Sequence, residues 1–324
     1  MKKQFVCLSV LLFAVLLLAA CGQKTETPVV EQGDSGEILN VVATTTIVGD
    51  VVAQIGDERI NLSVLLPAGT DPHSFEPTPQ DITKIMQADV VFANGAGLEE
   101  FLNNLIESAG ASDKVVHVSE GIDLMLLGSQ EHDHEGEEHD HEGEEHDHEG
   151  GDPHTWVDPN NVMVWVQNIE QKLSEADPAN AGAYAANAKA YTTELKTLDA
   201  WIREQVAQVP MADRKLVTDH MLFGYFAEEY GFEQVGALIP GYSTLAEPSV
   251  REIAEIEDAI RKLGVKAIFV GNTINPALAQ RVADDTGIKL IFVYTGSLSG
   301  PDGEAPSYLE YIRYNVSAFV EALK

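Results

Sequence analysis

Six of the ten histidines lie in one acidic repeat that could bind metal ions. The unit Glu-His-Asp-His-Glu-Gly-Glu occurs three times over residues 131–151, with glycine as the last residue of the third copy. Imidazole and carboxylate groups both bind divalent ions, and the segment has no apolar residue that could be buried on folding. The repeats, in the predicted loop 131–150, therefore predict weak accessory metal sites at His132, His134, His139, His141, His146 and His148.

Three of the other four histidines follow predicted strands. His73 comes after the second strand, His154 after the fourth, and His220 after the first strand of the second half. Parallel α/β sheets bind ligands outside the carboxyl ends of their strands, so a cleft between two lobes could bring these imidazoles together. Any one of them alone would more simply bond a carbonyl or cap a loop. Three together favour zinc, which takes about four nitrogen, sulfur or oxygen ligands.

The fourth histidine, His117, has a different setting. It alternates with Val116 and Val118 inside a predicted strand. We expect it to be a structural residue of that strand and not a metal ligand.

Strands and helices alternate throughout the chain, which is typical of parallel sheets with helices on both faces. Strands are predicted at 38–43, 61–66, 89–94, 114–119, 215–218, 232–238, 266–270 and 289–294. Helices are predicted at 46–55, 80–87, 98–108, 160–175, 222–230, 249–263, 276–286 and 307–323. The fold class is therefore α/β, with two similar lobes, each a four-stranded parallel sheet flanked by helices.

One long backbone helix is predicted to join these lobes. It runs over residues 179–209, between an N-terminal lobe at 38–178 and a C-terminal lobe at 210–324. Its predicted buried stripe consists of Ala179, Ala183, Ala186, Ala190, Leu195, Leu198 and Ile202.

The N-terminus has the features of a secretory signal over residues 1–20. Lys2 and Lys3 precede an apolar run that is too short to span a bilayer comfortably. The run ends in Leu-Ala-Ala-Cys, which resembles the lipobox of bacterial lipoproteins and implies a diacylglycerol on Cys21. An ordinary signal with an incidental cysteine is the alternative. Residues 21–37 are then the lipidated cysteine and a flexible tether, so we expect an extracytoplasmic protein anchored to a bacterial membrane, at the cell surface or in the periplasm.

The net charge of −32 limits the partners of this chain. The repeats alone carry eleven acidic residues and no basic one. Such a chain repels nucleic acid and anionic headgroups, so we expect no nucleic-acid partner and attachment to the membrane through lipid alone.

Each of the three loop histidines lies in a distinctive segment. The segments read Gly-Thr-Asp-Pro-His-Ser-Phe-Glu-Pro-Thr-Pro at 69–79, Asp-Pro-His-Thr-Trp-Val-Asp-Pro at 152–159 and Asp-His-Met-Leu-Phe-Gly-Tyr-Phe-Ala-Glu-Glu-Tyr-Gly at 219–231. They resemble the metal-binding solute-binding lipoproteins of bacterial ABC importers, and the resemblance covers 38–324. It implies two α/β lobes, a backbone helix, and a metal buried in the cleft between the lobes. It also implies a monomer without enzymatic activity that has an ABC permease and its ATPase as partners.

The resemblance assigns the metal ligands residue by residue. The first two ligands fall on His73 and His154. At the third position the manganese and iron members have Glu, whereas the zinc members have His, as this chain does at His220. The resemblance therefore implies Zn²⁺ as the transported ligand.

The fourth ligand departs from the family pattern. Manganese members have an Asp in the segment Tyr-Ser-Asp-Ser-Leu-Ser, but this chain reads Tyr-Thr-Gly-Ser-Leu-Ser at 294–299, so Gly296 replaces the carboxylate. The alternatives are water, Asp302 or Glu304.

Three other functions compete with zinc delivery. One is a manganese or iron importer component, and another is an adhesin-like surface lipoprotein, although no receptor-binding feature is present. The third is a zinc hydrolase with an open coordination position. It would need a general base near the bound water, and no motif supplies one.

Overall fold

The computed structural model describes residues 38–99, 102, 106, 110–126 and 151–324. The predictions for the signal, for Cys21 and for the six histidines of the repeats lie outside these residues. Within the described residues, no helix is both long and apolar enough to cross a membrane.

The first half of the chain builds a four-stranded parallel sheet in the order β2-β1-β3-β4. Its strands are β1 (Leu39–Ala43), β2 (Ile60–Val64), β3 (Val90–Ala93) and β4 (Val115–His117). Helix α1 (Thr46–Gly56) connects β1 to β2, and α2 (Pro79–Gln87) precedes β3. Of the predicted helix at 98–108, residues 102 and 106 are described and helical. All four residues of β3 are buried, as expected for an inner strand covered on both faces.

The start of α2 follows a local sequence rule. Thr78 is the N-cap and Pro79 the first helical residue, where the missing proline N–H costs nothing. The Asp81 carboxylate accepts from the Thr78 backbone N at 3.0 Å and from Thr78 Oγ1 at 2.8 Å. This cap confirms the predicted helix start and fixes where the preceding loop, which carries His73, must end.

Two consecutive helices then follow, with no strand between them. Helix α3 (Pro159–Ala176) packs against α4 (Ala181–Val206), which has 26 residues and is about 39 Å long. Helix α4 also contacts α1 of the first half, so it lies against the core of the first sheet.

The second half repeats the topology of the first, with strand order β6-β5-β7-β8. Its strands are β5 (Lys215–Thr218), β6 (Glu233–Ala237), β7 (Ala267–Gly271) and β8 (Lys289–Val293). Its helices are α5 (Gly224–Tyr230), α6 (Val250–Leu263), α7 (Ala277–Thr286) and α8 (Tyr308–Leu323). Helix α4 contacts α5 and α8, so one helix touches both halves. The prediction of two similar four-stranded lobes joined by a long helix is confirmed, while the exact lobe boundaries stay a prediction.

The predicted buried stripe of α4 was wrong in its first half. Ala179, Ala186 and Ala190 are exposed, and the buried positions there are Tyr184, Ala188 and Tyr191. From Leu195 onward the prediction holds, since Leu195, Leu198 and Ile202 are fully buried. A tyrosine buries far more apolar area than an alanine, so the tyrosines decide which side of the helix faces the core.

Leu198→Ala should lower the free energy of unfolding by about 2–5 kcal/mol, because it leaves a cavity where α4 meets the core. The matched control is Lys196→Ala, an exposed position on the same helix, which should change stability little. Urea denaturation of both variants checks this. Equal effects would show that the packing of α4 does not support the fold.

Candidate metal centre

Three loops at the carboxyl ends of strands carry the candidate ligands. His73 lies between β2 and α2, His154 lies just before α3, and His220 lies two residues after β5. The third loop ends at Gly224, where the short helix α5 begins. Because β2 and β5 belong to different sheets, the two halves of the chain contribute different ligands to one place.

The structure brings the three imidazoles together. His73 Nε2 lies 3.1 Å from His154 Nε2, and His220 Nε2 lies 3.2 Å from the same atom. The ligand atoms of all three lie within 4.8 Å of one another. Tetrahedral zinc with Zn–N bonds of roughly 2.0–2.1 Å would place its nitrogens roughly 3.3 Å apart. The two separations from His154 therefore fit a tetrahedral ion bound by the three imidazoles.

Two of the rings are oriented by buried carboxylates. Asp152 Oδ1 lies 2.7 Å from His154 Nδ1, and Asp219 Oδ1 lies 2.5 Å from His220 Nδ1. All four residues are at most 2% exposed. When these carboxylates are ionised they only accept hydrogen bonds, so Nδ1 then carries the proton and Nε2 keeps its lone pair for a metal. Sequence reasoning missed both aspartates, although an Asp one or two residues before each histidine was a visible signal.

Burial also keeps two of the three imidazoles neutral, those of His73 and His154. Burial, together with the neighbouring rings of His154 and His220, lowers the pKa of His73 to about 3. Burial likewise holds the pKa of His154 well below its usual range, with His220 adding to the effect. Since only neutral imidazole binds a metal ion, these two ligands are ready for metal at physiological pH. Burial raises the pKa of Asp152 to about 7, and a nearby divalent ion would lower it again.

The predicted fourth ligands are not brought to this centre. Asp302 and Glu304 are exposed in the loop before α8. In the part of the chain that the structure describes, the metal-binding group contains the three histidines and no carboxylate. A Cβ atom on Gly296 would lie 2.5 Å from Cδ of Pro72, so the family's aspartate position has no room for a side chain here. Water as the fourth ligand stays a prediction.

His117 lies outside the group, as predicted. It is the last residue of β4, and its ring is exposed to solvent instead of packed within the sheet.

Two parallel α/β lobes with three histidines between them define a class: a two-lobed protein that binds a metal ion in its interlobe cleft. The sequence model of the family described as zinc-uptake complex component A, periplasmic, matches residues 41–322. The chain belongs to this family of extracytoplasmic metal-binding proteins, which are the substrate-binding components of ABC importers and work with a permease and an ATPase.

The chain resembles individual proteins of this family over its whole length. A manganese-binding lipoprotein MntA of Halalkalibacterium halodurans is 36% identical over 326 residues, covering 100% of this chain and 99% of the relative. The manganese ABC transporter substrate-binding lipoprotein PsaA of Streptococcus pneumoniae is 30% identical, covering 100% of this chain and 99% of the relative.

A solved structure has the same fold. The periplasmic zinc-binding protein TroA from Treponema pallidum matches with a TM-score of 0.76 at 26% identity, covering 89% of this chain and 99% of that one. A cadmium-bound periplasmic metal-binding protein from Candidatus Liberibacter asiaticus matches with a TM-score of 0.73 at 26% identity, covering 88% and 99%.

Replacing His220 by Ala should weaken tight metal binding by well over the ~10–100-fold that is typical when a residue supporting a ligand is changed. The matched control is His117→Ala, which removes an exposed imidazole outside the group and should leave binding nearly intact. Isothermal titration calorimetry of both variants measures their affinity for zinc and tests this prediction. Parent-like binding by the His220 variant would mean that the three histidines are not the site.

Proposed function

We propose that this protein captures Zn²⁺ outside the cytoplasmic membrane and delivers it to an ABC permease. The observation that supports zinc most directly is the donor set. Three buried or half-buried imidazoles point Nε2 at one place, and the described group includes no carboxylate. Imidazole suits zinc, copper and nickel, whereas oxygen-rich sites suit manganese.

The glycine at position 296 supports the same cargo. Pro72, the neighbour of His73, fills the space that a side chain there would need. A carboxylate ligand at this position would displace the loop that presents His73. The site therefore keeps three nitrogen ligands and leaves one position for water, which is a coordination that zinc accepts readily.

Manganese is the competing cargo, because relatives that are 36% and 30% identical are named for it. The donor set separates the two ions. Manganese lies at the weak end of the divalent series for nitrogen donors and zinc near the strong end. A site with nitrogen ligands in place of carboxylate oxygens should therefore prefer zinc.

The remaining parts of the chain would serve capture and attachment. A lipid on Cys21 would hold the protein at the outer face of the membrane, with residues 22–37 as a tether. The repeats would concentrate cations through eleven carboxylates and bind them weakly through six histidines. The protein would act as a monomer, because one chain supplies all three ligands.

Competition between ions tests the cargo. The protein should prefer Zn²⁺ over Mn²⁺ by at least about 100-fold, following the order of divalent affinities for nitrogen ligands. Calorimetric titration of Mn²⁺ into metal-free protein, followed by displacement with Zn²⁺, measures this. Comparable affinities would remove zinc as the cargo and leave manganese, while the family assignment would stand.

Deleting residues 131–150 should leave one tight zinc per chain and remove additional weaker zinc. The repeats contain no apolar residue that could be buried on folding, so metal binding there should carry a larger ordering cost than at the three buried or half-buried histidines. Parallel zinc titrations of the full chain and the deletion variant measure the difference. Below about pH 6 the additional zinc of the full chain should also disappear, because ordinary imidazoles protonate near pH 6.5. Loss of the tight site on deletion would show that the repeats supply a principal ligand.

A further inference from the structure

We propose that two buried amides, Asn94 and Gln234, position the metal ligands of their own lobes. Each amide donates a hydrogen bond toward the turn that presents one histidine: Asn94 acts on His154, and Gln234 acts on His220. Both act on the ion through the main chain of a ligand, so they are positioning residues. The proposal rests on the proposed function, because it takes the three histidines as the metal site, but it holds for zinc and for manganese alike.

The turn that carries His154 is attached to the first sheet on both sides of the ligand. Asn94 directly follows β3 and is fully buried, and its Nδ2 donates to Pro153 O at 2.9 Å. Pro153 is the residue before the ligand. On the other side, the hydroxyls of Ser119 and Thr155 lie 2.8 Å apart. The main chain of His154 is therefore held between the ends of two strands, β3 and β4.

Asn94 is itself held in place by a buried carboxylate. Glu99 Oε1 accepts from Asn94 N at 2.6 Å and from Thr44 Oγ1 at 2.7 Å, and its Oε2 accepts from Gly95 N at 2.9 Å. Thr44 directly follows β1, which is the neighbour of β3 in the sheet. One carboxylate thus joins the ends of two adjacent strands and fixes the residue from which the Asn94 side chain extends.

The second lobe reaches the main chain of its ligand through a hydroxyl. Gln234 lies in β6, and Thr218 is the last residue of the neighbouring strand β5. Gln234 Nε2 donates to Thr218 Oγ1 at 3.1 Å, and Thr218 Oγ1 donates to His220 O at 2.6 Å. The hydroxyl has one proton and gives it to the carbonyl of the ligand, so toward Gln234 it acts as an acceptor. Two successive bonds therefore connect His220 to β6.

Both amides serve as donors. Their acceptor atoms, Asn94 Oδ1 and Gln234 Oε1, are buried and have no hydrogen-bond partner within the described part of the chain. The orientation of Asn94 follows from its surroundings, since its Nδ2 also donates to Gly95 O at 2.9 Å. The reversed amide would place an oxygen against two carbonyl oxygens, Gly95 O and Pro153 O. The N–H groups are thus the part of each amide that acts on the ligand turn.

The amides and the aspartates act on different parts of each ligand. Asp152 and Asp219 accept from the ring Nδ1 atoms and so orient the rings. They also accept from the backbone N of His154 at 2.9 Å and of His220 at 2.7 Å. A metal site tolerates deviations of only about 0.2 Å in its bond lengths, and an oriented ring meets that limit only if its backbone is fixed as well.

Removing the donors should weaken zinc binding. We expect a loss of about tenfold in Asn94→Ala, Gln234→Met and Thr218→Val, the lower end of the range for residues that support a ligand, because the ring aspartates remain. Thr218→Ser keeps the hydroxyl and should bind like the parent. The second control is Asn187→Ala, which removes an amide that donates at 3.0 Å to Ile55 O, in the last turn of α1. Calorimetric zinc titration measures all five variants, and parent-like affinity in the first three would overturn the proposal.

Hydrogen exchange in metal-free protein separates positioning from a general loss of stability. Asn94→Ala should speed exchange of the His154 backbone N–H about tenfold, the scale of one hydrogen bond, and leave that of His220 unchanged. Gln234→Met should do the reverse. Equal acceleration of both amides, or of neither, would overturn the proposal even if zinc affinity fell. If the parent bound no zinc tightly, the proposed function would fail, and the selective exchange would still decide whether each amide holds its turn.

Discussion

The hydrogen bond between a buried carboxylate and an imidazole Nδ1 is the interaction on which this centre depends. A neutral imidazole can carry its proton on either nitrogen. If Nε2 carried it, the buried rings would direct N–H groups at one another and at any incoming cation. Asp152 and Asp219 prevent this by accepting from Nδ1. The lobes, in turn, supply the burial that makes these bonds strong, and burial also keeps the ring of His154 neutral.

Much of this arrangement could be predicted from the sequence, because it follows from strong local patterns. Apart from the predicted helix at 98–108, which is described only in part, strands and helices begin and end within two residues of their predicted positions, and α4 ends three residues early at Val206. The meeting of His73, His154 and His220 follows from the rule that loops at the carboxyl ends of parallel strands share an edge. No such rule applies to the exposed loop with Asp302 and Glu304, so its position relative to the metal centre could not be predicted.

What could not be predicted depends on contacts between distant segments. The two Asp-Pro-His tripeptides are identical as sequence, yet Thr244 donates to the carboxylate of Asp71, whereas among the described residues no hydroxyl donates to the carboxylate of Asp152. Likewise, the alanines of α4 have the spacing of a buried stripe, but Tyr184 and Tyr191 face the core. In each case a partner far along the chain decides between two locally equivalent outcomes, and spacing alone carries no information about that partner.

The close approach of the three Nε2 atoms has a consequence for what the protein can recognise. His154 Nε2 lies 3.1 Å from His73 Nε2 and 3.2 Å from His220 Nε2, so the imidazoles can surround a bare ion but leave no space for an ion that keeps its hydration shell or an organic chelator. A carrier molecule must therefore release its metal ion before the ion enters the cleft between the lobes. The protein therefore does not recognise the shape of a metal complex. It competes for the ion through its affinity alone, so the concentration of free ion around it limits how much metal it can bind.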